Sequence, residues 1–157
     1  FRIAKVLYAL KKEEGKRLLR EVYTEYPTLK QEVAYILAQD KDYDTENYLR
    51  SRLSERMNET ESTMVMRAKI AGSLIASGDP QAKAIYQEIL RGDIMAAKKQ
   101  VLHDITKMGS SQLLNVIQSS IENVDTELSL MAATAAIAIS DSEFRARLLT
   151  LRDEVDW

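Results

Sequence analysis

The chain has no cysteine and only one histidine, one tryptophan, two phenylalanines, two prolines and five glycines in 157 residues. Without cysteine there is no disulfide framework, no thiol nucleophile and no Cys-ligated zinc, and reducing and oxidising compartments alike tolerate such a composition. With a single histidine no convincing Ser-His-Asp set can be assembled, and no Gly-rich phosphate loop or outstanding carboxylate pair appears either. The net charge of −2 supplies no global pull toward nucleic acid or an anionic membrane. The longest apolar stretch, Leu128–Ile139, is alanine-rich and falls short of the roughly 20 residues that a membrane span needs. No secretory leader is visible, and the first residue is Phe1 rather than Met, so a fragment of a longer protein is expected.

What remains is 45% hydrophobic and 29% charged, rich in Ala, Leu, Ile, Glu, Lys and Arg, the balance of a folded helical domain. Arg67–Leu90 organises it. Ile70, Ala71, Leu74 and Ile75 form the stripe of one helix, and Gly78 ends it, because glycine takes left-handed backbone cheaply. Asp79 is expected to cap the next helix, with Pro80 at its first position and Ala82, Ile85, Tyr86 and Ile89 on its buried side. A hairpin of this kind cannot bury its apolar faces alone and needs copies as neighbours.

The copies are legible in the spacing. Gly78, Gly109 and Ser140 lie 31 residues apart, as do Leu74, Ile105 and Ala136, Ile70, Val101 and Ala132, and Ala82, Leu113 and Phe144. Upstream, Leu18 to Leu49 and Val22 to Leu53 repeat the same 31-residue interval. The first pair of helices carries Ile3, Val6, Leu7 and Leu10, then Leu18, Leu19, Val22 and Tyr23, with a break expected near Gly15 and a stop at Pro27. The second carries Val33, Ile36 and Leu37, then Tyr48, Leu49, Leu53 and Met57. The fourth carries Val101, Leu102 and Ile105, then Leu113, Leu114, Val116, Ile117 and Ile121. The last has Leu130, Ala132, Ala133, Ala136 and Ile137, an expected corner at Ser140-Asp141-Ser142, then Phe144, Leu148 and Leu151. Approximate repeats are 1–28, 29–60, 61–94, 95–126 and 127–157, about ten helices in a single repeat domain.

Arg67, Ala71, Leu74, Gly78-Asp79-Pro80 and Ala82 together resemble the short bacterial-type HEAT repeat, as in the phycobilisome-lyase-like repeat class. The match covers one unit well, extends in part over Ala96–Ile121 with Lys98 in place of the arginine, and elsewhere rests on apolar positions or period alone. The resemblance implies an all-α, right-handed α-solenoid of about five HEAT-like hairpins, usually a protein-binding scaffold. It carries over no catalytic residue, metal ligand or cofactor, since fold does not fix function.

Residues that could carry chemistry have plainer readings. His103 falls off the buried stripe, with only Asp104 and Lys107 near it in sequence. Asp40, Asp42 and Asp44 open like a calcium loop, but Thr45 and Ser51 stand where the loop needs Gly and a bidentate Glu, so a solvated turn with an N-cap is expected. Asn58-Glu59-Thr60 is a glycosylation sequon of little weight, because such triplets arise by chance. The alanine run Ala132–Ala138 and the methionines Met64, Met66, Met95 and Met108 read as ordinary packing.

In such a solenoid the second helices line the concave, partner-binding side. Projection at the repeat interval puts Arg20, Ser51, Glu55, Gln87, Arg91, Gln118, Glu122, Leu149 and Asp153 there. That surface is polar and mixed in sign, which suits a protein or peptide partner better than a phosphate backbone. The expected function is a non-enzymatic interaction scaffold. The alternative is a nucleic-acid-associated module using Lys16, Arg17 and Arg20, the one compact basic patch.

Charge also changes along the chain. Residues 1–28 hold seven basic and four acidic side chains, and residues 127–157 hold three and six. Such a dipole either steers contacts with flanking repeats or another copy, or reflects two solvated faces. Phe1 and Ile3 at one end, and Leu148, Leu151, Val155 and Trp157 at the other, lack the polar cap of a terminal repeat. Flanking repeats, a further domain or a contact surface are expected to cover them.

Overall fold

A computed structural model describes the backbone of residues 1–55, 58, 60–121 and 125–154, with side chains described for these residues up to 117 and for 125 and 127–141. Among the described residues the protein is all-helical, with nine α-helices and no strand. They are α1 (Arg2–Ala9), α2 (Glu13–Glu25), α3 (Lys30–Leu37), α4 (Tyr43–Ser54), α5 (Glu61–Ser77), α6 (Ala82–Arg91), α7 (Met95–Met108), α8 (Leu114–Ile121) and α9 (Thr126–Glu154). Short 3₁₀ turns follow α3 and precede α8. None of the described helices is long and apolar enough to cross a membrane.

The helices group into two compact units, one formed by Phe1–Met57 with Ser73–Asp79, the other by Asn58–Gly72 with Pro80–Trp157. In the first unit α2 packs on α1 and α3, and α3 packs on α4. Ala4, Leu19, Val33 and Leu37 form its core, flanked by Phe1, Tyr8, Leu18, Val22, Tyr23, Leu29 and Ile36. The chain turns between α1 and α2 at Lys11, whose φ is 53°. Gly15 is therefore not the break that its residue type suggests. It lies buried inside α2, where a Cβ would meet the backbone carbonyl carbon of Leu7 at 2.6 Å. Its missing side chain is what lets α1 and α2 approach.

In the second unit α7 and α8 both pack on α9, and α6 packs on α7 and α8. Ala82, Tyr86 and Ile89 of α6, Val101, Leu102 and Ile105 of α7, and Leu113, Val116 and Ile117 around α8 are buried as their spacing predicts. Gly109 closes α7 in the left-handed region at φ 55°, and Gly78 ends α5 at φ 97°. Both occupy the C-cap position expected of them.

Three features depart from the spacing. The backbone runs helical straight through Ser140-Asp141-Ser142, so α9 is one helix of 29 residues where two arms and a corner were expected. Nothing there demands a break: Ser140 returns its hydroxyl to the Ala136 carbonyl at 3.0 Å, a bond made within a continuing helix. Second, α6 begins at Ala82 with Gln81 as N-cap, so Asp79 and Pro80 both precede the cap, and the Asp79 carboxylate bonds Arg50 at 2.8 Å. Third, α1 and α9 bury different sides from those expected. Ala4 is buried while Ile3, Val6 and Leu10 are exposed, and Leu128, Ala132, Ala135 and Ile139 are buried while Leu130 and Ile137 are exposed. Small alanines sit inward on α9 because they allow its backbone close to α7 and α8.

Candidate functional site

The first unit gathers tyrosines and cations on α2, α3 and α4. Tyr23 of α2 and Tyr48 of α4 meet edge to face, with ring centroids 6.0 Å apart and planes at 85°, a favoured aromatic geometry. The Lys30 ammonium, from the first turn of α3, lies 4.9 Å from the Tyr23 centroid and 5.1 Å from that of Tyr48. Two ring faces thus share one cation. All three side chains are half-buried. Tyr35 belongs to the same neighbourhood: burial pushes its hydroxyl above the usual range, a bond from Gln31 offsets part of that, and the charges of Tyr48 and Arg52 act on it.

Beside this cluster the charges are paired. Arg20 reaches from α2 to Asp42 at 2.6 Å. Asp42 is the N-cap of α4 and accepts the Thr45 backbone N–H at 3.2 Å, so the solvated turn with an N-cap is what stands at Asp40–Asp44. Burial alone would raise the Asp42 carboxyl. The bonds from Arg20 and Thr45 outweigh it and hold the group below the ordinary carboxylate range. Lys16 pairs with Asp40 at 3.2 Å, and Arg17 bridges Glu14 and Glu21 at 2.5 and 2.6 Å. Every member of the compact basic patch therefore has an acidic partner. A shallow depression of about 430 Å³ runs along α2 past Glu13, Lys16, Arg17, Arg20 and Glu21, and its walls alternate in sign.

The expected partner-binding residues distribute as follows. Arg20 and Ser51 are exposed on α2 and α4, and Ser51 bonds the Tyr48 carbonyl at 2.7 Å. Glu55, just beyond α4, is exposed and paired with Arg52. In the second unit Gln87 is half-buried and Arg91 exposed on α6. Glu122 lies outside the described residues, as do the side chains of Gln118, Leu149 and Asp153. The structure thus brings Ser51 beside Tyr48 and ties Arg20 to Asp42. The tyrosine–lysine cluster itself was missed by spacing, which places Tyr23 and Tyr48 on helices but cannot bring Lys30 to them.

The second unit holds a contrasting polar group, built around a wholly buried tyrosine. Tyr86 is wholly buried and donates its hydroxyl to Asp104 Oδ2 at 3.3 Å, while Gln100 Nε2 donates to Oδ1 at 2.9 Å. Gly72 of α5 leaves room for this clasp, since a Cβ there would stand 2.5 Å from the Tyr86 hydroxyl. Burial, then the charge of Asp104 and the bond to it, raise the Tyr86 pKa. Burial likewise raises the Asp104 carboxyl, and the bonds from Gln100 and Tyr86 offset part of that. His103 next to it is exposed. Arg67, the arginine of the resembled motif, joins α5 to α6 through Glu88 at 3.3 Å.

Fold and surface together define an all-helical protein with a tyrosine-rich, charge-paired face. Comparison of the chain with protein-family models, with curated proteins and with solved structures finds no match.

Proposed function

We propose that the chain is a HEAT-like helical-repeat scaffold, arranged as a right-handed α-solenoid, that binds a protein or peptide through its second helices and performs no chemistry of its own. The 31-residue register and the two left-handed glycine caps, Gly78 and Gly109, support the repeat reading. The observation that carries the binding reading is the Tyr23–Lys30–Tyr48 cluster. Tyrosine and arginine dominate the energetics of protein interfaces, because they offer large, stiff area with a polar tip. Here Tyr23, Tyr35, Tyr48 and Arg52 occur together and half-buried, next to Arg20 and Ser51. Nucleic acid is disfavoured as the partner, since Lys16, Arg17 and Arg20 are each already neutralised by an acid and release few counterions to a phosphate backbone.

The test is affinity capture from source-cell lysate, with and without nuclease, using the wild type, a Tyr23→Ala/Tyr48→Ala variant and a Gln87→Ala/Arg91→Ala variant. The expected result is a nuclease-resistant protein kept by the wild type and lost by the tyrosine variant while its helical circular dichroism is unchanged. Capture that nuclease abolishes, or that neither variant weakens, refutes the reading.

A further inference from the structure

The Tyr23–Tyr48 pair already holds a cation, and holds it weakly. The Lys30 ammonium stands within the roughly 6 Å over which a ring face attracts positive charge. Among the described residues that ammonium makes no hydrogen bond and no ion pair, so the protein answers none of its three donors. The guanidinium groups nearby are bound more firmly: Arg20 donates to Asp42 at 2.6 Å, and Arg52 is paired with Glu55. Lys30 is the first residue of α3 and carries its charge on a flexible four-carbon stem. Its head can swing into water without disturbing the helix behind it.

The surroundings favour a positive occupant. Asp44, in the first turn of α4, is exposed and bonds no cation among the described residues. Burial, and then the charges of Tyr48, Asp44 and Asp42, push the Tyr23 hydroxyl above its ordinary value. A field that opposes a phenolate favours an ammonium in the same place. Two rings at 85° form two walls, and with an unbonded carboxylate in range they supply the parts of an aromatic pocket for alkylammonium groups.

We propose that Lys30 is a placeholder, and that an alkylammonium group of the partner, a lysine side chain bare or methylated, replaces it between Tyr23 and Tyr48 with Asp44 as the second anchor. This rests on the reading that the tyrosine cluster is the partner-binding face, and it names the chemistry recognised there. Lys30 is then a built-in competitor that covers the ring faces until a better cation arrives. A methylated ammonium is the better cation, because a bare one is strongly hydrated and gives up more water on entering.

The experiment follows the tyrosine ring signals of the full chain by NMR during titration with tetramethylammonium, methylammonium or tert-butanol, at constant ionic strength. Tetramethylammonium is expected to shift the Tyr23 and Tyr48 rings saturably and methylammonium to do so at higher concentration. The alcohol, of similar bulk but uncharged, is expected to leave them in place. Lys30→Gln removes the competitor and is expected to tighten tetramethylammonium binding about two- to fivefold, the share that a weakly held internal cation withholds. Lys30→Gln/Tyr48→Leu is expected to abolish it, with unchanged helical circular dichroism showing that the double variant folds. Binding that Lys30→Gln weakens, or an alcohol that binds as well as the cations, overturns the proposal. A wild type that keeps its captured protein through the tyrosines yet shows no ring shift with either ammonium overturns it too, and leaves the scaffold reading standing. Loss of both capture and ring shift overturns the two together.

Discussion

Asp42 in the first unit and Asp104 in the second are each held by donors from two residues, yet their carboxyls move in opposite directions. Asp42 sits at a helix N-terminus with Arg20 and the Thr45 N–H beside it, and full charge is what those donors reward. Asp104 is held by the neutral donors of Gln100 and Tyr86, with Tyr86 itself fully buried, so desolvation prevails. The charge of the donors and the burial of the carboxyl decide the sign of the shift. The same contrast separates the tyrosines. Tyr86 is a core residue with a polar tip, while Tyr23 and Tyr48 are surface residues with a cation between them.

The comparison breaks most visibly at the tyrosines. Tyr86→Ala should cost about 3–5 kcal/mol, through the cavity left and the stranded Asp104, whereas Tyr48→Ala should cost well under half of that. Urea unfolding of both variants measures this, and equal losses would mean that the Tyr48 ring is as structural as that of Tyr86. Next, Asp42→Ala should destabilise by about 1 kcal/mol at neutral pH, the usual cost of a lost N-cap. Because the folded-state pKa of Asp42 is lowered, its contribution is present above the ordinary carboxylate range and is lost as pH falls through the lowered value. Wild type and variant melting temperatures should therefore converge in acid. The smallest effect has the reverse sign. Asp104 has a raised pKa, so its contribution is present below its ordinary value and is lost as pH rises through the raised one. Asp104→Asn keeps an acceptor for Gln100 and should melt at or above the wild type at pH 7, with that advantage gone near pH 4. A variant less stable at pH 7 would show that Asp104 is needed as an anion.

Much of this fold was legible because some steps admit one residue type. Gly78 and Gly109 end helices in left-handed backbone, which marks a C-cap in sequence as clearly as in space. The buried stripes of α6 and α7 follow from the 3.6-residue period alone. Other features depend on what lies across from a residue. Gly15 reads as a break until α1 is seen lying against it, and nothing around Asp79 in sequence points to Arg50, 29 positions earlier, which is bonded to it. Ser140-Asp141-Ser142 contains neither Gly nor Pro, so a corner and a continuing helix were equally open to it, and period tipped the reading toward the corner. On α1 and α9 both sides are apolar, and pattern could not say which turns inward. Arg20 and Ser51 lie exposed on α2 and α4, while Lys30 between two rings and the Asp40 that neutralises Lys16 are long-range facts that spacing does not carry.

Gly78 sits at φ 97° with nothing within 4 Å of where a Cβ would stand. The only obstacle to a side chain there is therefore its handedness. An L-alanine would be strained by its own backbone in otherwise empty space, while its mirror image, D-alanine, would find that torsion comfortable and would also stiffen the unfolded chain. At this one link a chain assembled by chemical synthesis has a choice that a ribosome does not: the corner after α5 asks for the opposite chirality, and glycine answers by having none.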